Sequence, residues 1–190
     1  DTNILHNRNE QLDKALFVEK LKEIIGEIEI NDIYTEIKIL LPRMVLNELY
    51  QQQLEMFDNL NIRLENVSMP NMQYDRAFNY GEYLETIFKK AIMELKQGIV
   101  AVEVVDFPAS DRLNSIISRA IKKEPPFEGK EKHSDKGFKD VLIWESIKEY
   151  KEKHINDIIV FYCNDNLLAS NALRKEFKED FRDEIYIEQK

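Results

Sequence analysis

Residues 157–168, "DIIVFYCNDNLL", set an unbroken apolar run from Ile158 to Cys163 against the polar triplet Asn164-Asp165-Asn166 and a second apolar pair. The run is short and rich in β-branched and aromatic side chains, which predicts a buried strand over 157–163. A helix is expected next, over Leu167 to Phe177, with Asp165 placed to cap it. Strand, acidic turn and helix in that order form the repeating unit of a parallel sheet, because a parallel neighbour is reached only through a crossover.

Working outward, "IVAVEVVDFP" (99–108) and "EIKILLP" (36–42) are two more apolar runs closed by Pro, and Ile185 to Ile187 is a last short one. Helical spacing fills the intervals: Asn9 to Ile25 with Gly26 beyond its end, about Val45 to Asn59, one long or broken helix within Asn71 to Gln97, and Ser110 or Asp111 to Lys123. Ser134 or Asp135 is expected to cap a further helix over about Lys136 to Lys151, after the loop "EPPFEGKEKHSDKG" (124–137). The expectation is an α/β fold, a parallel sheet with helices on both faces, in a single domain over 1–190. The order lacks a strand before its first helix, so a short apolar strand is expected to precede residue 1 and to end at Asp1.

Composition bounds the function. Lys and Arg number 27 against 36 Asp and Glu, a net charge of -9, which argues against general adhesion to nucleic acid while leaving room for a local basic track. One cysteine, Cys163, makes no internal disulfide and points to a reducing cytoplasm. No apolar run approaches a membrane span, so no membrane partner is expected.

Asp1, Asp140 and Asp165 fall at expected strand ends or in the first turns of helices that follow them, and Glu48 lies about two turns into its helix. Carboxylates gathered at one edge of a sheet repel unless a cation joins them, and hard Mg²⁺ or Mn²⁺ takes a few carboxylates and leaves positions open for phosphate oxygens. Such a centre serves phosphodiester hydrolysis. Each acid also has a plainer reading: a solvated terminus for Asp1, a surface ion pair for Glu48, a helix cap for Asp165, a Lys136 partner for Asp140.

The stretches "DTNIL" (1–5), "LLPRMVLNELY" (40–50), "KKEPPFEGKEKHSDKGFKDVLIWES" (122–146) and "IIVFYCNDNLLA" (158–169) together resemble the PIN domain, and within it the subgroup labelled DUF4935. The third run is the distinctive one. The resemblance implies a three-layer α/β/α fold around a central parallel sheet of about 4–5 strands, with a helix-rich insertion at about 66–97. It implies a Mg²⁺- or Mn²⁺-dependent endonuclease, usually an endoribonuclease, that hydrolyses RNA with a metal-activated water. Asp1, Glu48, Asp140 and Asp165 would form the catalytic metal centre, Glu48 binding directly or through water, and Asn3 and Asn164 would orient carboxylates or bound water.

Lys136, Lys139, Arg119 and Arg43 are the candidate phosphate-binding cations; a solvated charged loop is the plainer reading for the first three. Glu145 reads as a structural, buried acid, and His133 as a solvated side chain. Tyr74, Phe78, Tyr80, Tyr83 and Phe88 fit core packing better than base stacking. The insertion suits a lid, a homodimer surface or the docking site of a regulatory partner, and a further domain after residue 190 is compatible with the charged end. The competing function is an inactive PIN-like module that binds nucleic acid, single-stranded DNA included, or a protein. A phosphotransferase with an Asp nucleophile is distant, since no Gly-rich phosphate loop is present.

Overall fold

The computed structural model describes residues 2–7, 11–31, 37–65, 78–127 and 136–189. In chain order it contains α1 (Thr2–Leu5), α2 (Phe17–Ile30), β1 (Lys38–Pro42), α3 (Arg43–Glu65), α4 (Tyr80–Lys96), β2 (Ala101–Val105), a 3-10 turn (Ser110–Arg112), α5 (Leu113–Lys122), α6 (Phe138–Lys153), β3 (Ile159–Tyr162), α7 (Asn171–Phe181) and β4 (Ile185–Glu188). The α/β alternation expected from the sequence is present. Contacts divide the chain into one compact unit of Asp1–Ile4, Leu40–Leu46 and Val104–Lys190, and a second of Leu5–Ile39 and Asn47–Glu103.

In the first unit β3 and β4 pair in parallel, Ile159 beside Ile185 and Phe161 beside Ile187, joined by α7 as a β-α-β crossover. Alternate residues explain the burial: Ile159, Phe161, Ile185 and Ile187 are buried while Val160, Tyr162 and Tyr186 are exposed. The ladder continues one residue further, Cys163 N–H donating to the Glu188 carbonyl at 2.9 Å. Trp144, Leu168, Leu173 and Phe177 are almost fully buried in the same unit, with the Trp144 and Phe177 rings 6.0 Å apart.

The second unit is held by aromatic packing. Phe17 meets Phe88 at 5.1 Å between ring centres, and Phe57 stacks on Tyr80 at 4.1 Å. Buried Gln53 ties three segments together: its amide donates to the Lys14 carbonyl (2.8 Å) and the Tyr80 hydroxyl (2.9 Å), and its carbonyl accepts from Leu16 N–H (3.2 Å). Tyr80 and Phe88 therefore serve the core as expected, whereas Phe78 and Tyr83 stay partly exposed. Tyr74 lies outside the described residues, as do Ser134, Asp135 and His133.

Several boundaries differ from expectation. The second helix begins at Phe17 rather than Asn9 and runs through Gly26, whose site has open space around it. Leu12 sits instead in a turn that gives its carbonyl to Tyr80 Oη at 3.0 Å. Residues 166–169 form an isolated turn and α7 starts only at Asn171. Thr2–Leu5 forms one helical turn. The single central sheet of about 4–5 strands is not formed among the described residues; β1 pairs with β2, and β3 with β4. Apolar runs reveal how many strands a chain can supply, but pairing rests on hydrogen bonds between distant segments.

Candidate functional site

The start of α6 is fixed by a loop rather than by a side-chain cap. Gly137 has φ +110°, and a Cβ there would lie 2.6 Å from the Pro126 carbonyl oxygen and 2.8 Å from Phe127 Cα, so only glycine fits. Phe127 is buried in a cluster with Ile116 of α5 and Val141 of α6. That anchor holds the Pro-Pro-Phe turn against the helix start and places Asp140, half-buried, in the first turn of α6. A carboxylate there is also favoured by the helix dipole.

Asp165 follows β3 directly. Its Oδ1 accepts from Leu167 N–H at 2.7 Å and Leu168 N–H at 3.0 Å, and the Ala169 N–H returns to its carbonyl at 2.9 Å. These bonds cap the 166–169 turn and fix the side chain; Oδ2 takes part in neither side-chain bond. The buried Cys163 thiol braces the same residue, accepting from Asp165 N–H at 3.2 Å. Burial pushes that thiol up from its ordinary value, and the Asp165 and Asp140 carboxylates add to the shift.

The other expected site residues are placed as follows. Asn164 and Asn3 are exposed, Asn3 within α1. Glu48 is half-buried on α3, in the second unit. Asp1 lies outside the described residues. Lys136 and Lys139 are exposed at the start of α6, and Arg43 Nε pairs with Asp106 at 2.6 Å.

Arg119 departs from expectation. It is half-buried and grips Glu176 through two nitrogens, 2.9 and 2.5 Å, while also bonding the Pro125 carbonyl. Glu176 additionally receives Lys148 at 2.8 Å and Trp144 Nε1 at 3.2 Å. Burial opposes the charge on Arg119, Lys148 and Glu176, yet their mutual hydrogen bonds prevail, raising the first two and lowering Glu176. Arg119 is therefore a structural ion joining α5, α7 and the Pro-Pro-Phe turn. Its long side chain reaches inward from α5, which linear spacing cannot reveal.

Glu145 is structural as expected, 2% exposed and 2.9 Å from Arg112. Arg112, and through Arg119 also Glu176 and Lys148, join it in one network whose positions follow no motif.

Among the described residues, no three His, Cys, Asp or Glu stand together as a metal ion would need. Asp140 and Asp165 each carry a carboxylate, the hard oxygen donor type that suits Mg²⁺ or Mn²⁺. Among the same residues, no helix is long and apolar enough to cross a membrane.

A family model described as PIN domain matches residues 1–168. No curated protein and no solved structure matches the chain.

Proposed function

Because the chain belongs to the PIN-domain family, whose members are generally nucleases and typically use divalent metals, we propose that it is a Mg²⁺- or Mn²⁺-dependent endoribonuclease of the cytoplasm. The observation that carries the reading is the PIN-domain match over residues 1–168, a span that includes all four acids. Asp1 and Glu48 complete the carboxylate set in this reading, with Asn3 and Asn164 orienting it.

A divalent ion bound there would lower the pKa of water and offset charge on the leaving oxygen. The protein's own part is positional. The Leu167 and Leu168 amides hold Asp165 through Oδ1, so its carboxylate is ordered before it takes a ligand. Gly137 and Phe127 set the α6 start, from which Asp140 supplies the second carboxylate and Lys136 and Lys139 attract substrate phosphates.

The test is cleavage of a mixed panel of RNA and single-stranded DNA in Mn²⁺. The expected result is RNA cut to 5′-phosphate ends, arrested by EDTA and lost in Asp140→Asn and Asp165→Asn chains that remain folded. Wild-type rates in both variants would remove the site assignment, and 2′,3′-cyclic phosphate ends would remove the hydrolytic route. RNA retained without cleavage would establish the inactive binding module instead.

A further inference from the structure

Two ion pairs join β1 to β2 and reveal the direction of both strands. Lys38 Nζ lies 3.1 Å from Glu103, and Arg43 Nε lies 2.6 Å from Asp106. The partners advance together along the two segments, so β1 and β2 run parallel, and Arg43 and Asp106 stand just past the carboxyl ends of both. Ligand sites of an open parallel sheet lie outside that end.

The backbone at Asp106 is itself fixed. Its carbonyl accepts from the hydroxyl of buried Ser146 on α6 at 3.2 Å, and Ala109 N–H donates to Glu149 of the same helix at 2.7 Å. The stretch 106–109 is thereby tied to the helix that carries Asp140. Ser146 follows Asp140 by six residues, about 9 Å of helix axis.

Arg43 meets Asp106 through Nε, and among the described residues this is the only hydrogen bond of its guanidinium. A guanidinium held at Nε keeps its plane and presents its outer nitrogens as paired donors, which match two oxygens of one phosphate. The pair is exposed, 45% at Arg43 and 77% at Asp106, so it adds little to stability and leaves the cation within reach of a ligand. We propose that Arg43 grips a backbone phosphate of the RNA beside the one that is cut, and that Asp106 is the positioning residue that aims it. The inference rests on the nuclease reading. The offset along α6 keeps the contact away from the reacting phosphate, so it governs substrate binding rather than the chemical step.

A fluorescein-labelled single-stranded RNA tests it, with binding read by anisotropy in EDTA and cleavage by initial rates in Mn²⁺. Arg43→Gln should raise the dissociation constant and KM about tenfold while kcat stays within about twofold. It should also lower the slope of log affinity against log salt by about 0.7. Arg43→Lys keeps the charge without the fork and should recover only part of that loss. Asp106→Ala should weaken binding about threefold, whereas Asp106→Asn keeps an acceptor for Nε and should restore it. Both positions are exposed, so thermal melts of the variants should match wild type. Unchanged or tighter binding in Asp106→Ala overturns the positioning role, since losing an acid beside an unaimed cation would only favour the anion. Unchanged affinity and salt slope in Arg43→Gln overturn the phosphate contact, and a fall in kcat alone overturns its place beside the cut. If no chain cleaves RNA but the Arg43 and Asp106 effects on binding persist, the nuclease reading fails and the phosphate contact stands. A wild-type chain that neither binds nor cleaves RNA overturns both.

Discussion

Replacing Asp165 by Asn and, separately, by Ala divides its work as a cap from its work as a charge. Two backbone N–H groups, at 2.7 and 3.0 Å, bond to the same Oδ1 and hold the 166–169 turn. Alanine leaves both donors without their acceptor, and capping losses of this kind cost about 1–2 kcal/mol. For a chain of this length each kcal/mol is worth roughly 2–4 °C, so Asp165→Ala should melt about 2–8 °C lower. Asparagine keeps a carbonyl oxygen where Oδ1 stands, and its loss should stay within a few tenths of a kcal/mol. Both substitutions remove the negative charge, so both should abolish Mn²⁺-dependent cleavage and weaken Mn²⁺ binding in calorimetry. Thermal melts followed by circular dichroism supply the first readout. Equal destabilisation by Asn and Ala would refute the cap, because charge rather than hydrogen bonding would then hold the turn; unchanged stability in both would refute it too.

The buried ion network gives a pH signature. Burial opposes ionisation of Glu176, but Arg119 and Lys148 hold its carboxyl below the ordinary 4.5; that stabilisation is complete above about pH 4.5 and is lost as pH falls through the lowered folded value. Melting temperature plotted between neutral and acid pH should fall more steeply for wild type than for Glu176→Gln, and equal slopes would show that Glu176 is not a main titrating group. At neutral pH Glu176→Gln leaves Arg119 and Lys148 short of a counter-charge, an expected loss of about 3 kcal/mol, at the low end for buried pairs because Glu176 keeps 24% exposure; urea unfolding measures it. Gly137→Ala forces a side chain into positive φ and against the Pro126 carbonyl, and should cost roughly 2 kcal/mol or more in the same assay. In the second unit, Gln53→Ala strips partners from Leu16 N–H, the Lys14 carbonyl and Tyr80, for an expected loss of about 2–4 kcal/mol; a change within experimental error would mean water replaces the amide.

Much of the fold was legible because it rests on local patterns. The β3 and β4 runs, the turn at Asp165 and the Gly137 break before α6 appear where spacing and residue type put them. Asp165 proved to be a cap, the plainer of its two readings, and that role leaves its second oxygen outside the capping bonds. The start of α2 was misplaced because Leu12 is drawn into a turn by Tyr80, a partner far along the chain. Arg119 differs for the same reason: its charge is visible in sequence, but Glu176 beside it is not.

The sequence by itself determined the α/β alternation, the membership signalled by the runs at 40–50, 122–146 and 158–169, and the identity of the acids, since periodicity, turn chemistry and side-chain type are properties of short segments. Tertiary structure alone decided which strands pair and which cations are consumed inside the protein. Those outcomes depend on hydrogen bonds and charges between residues far apart in the chain, whose distances no local pattern encodes.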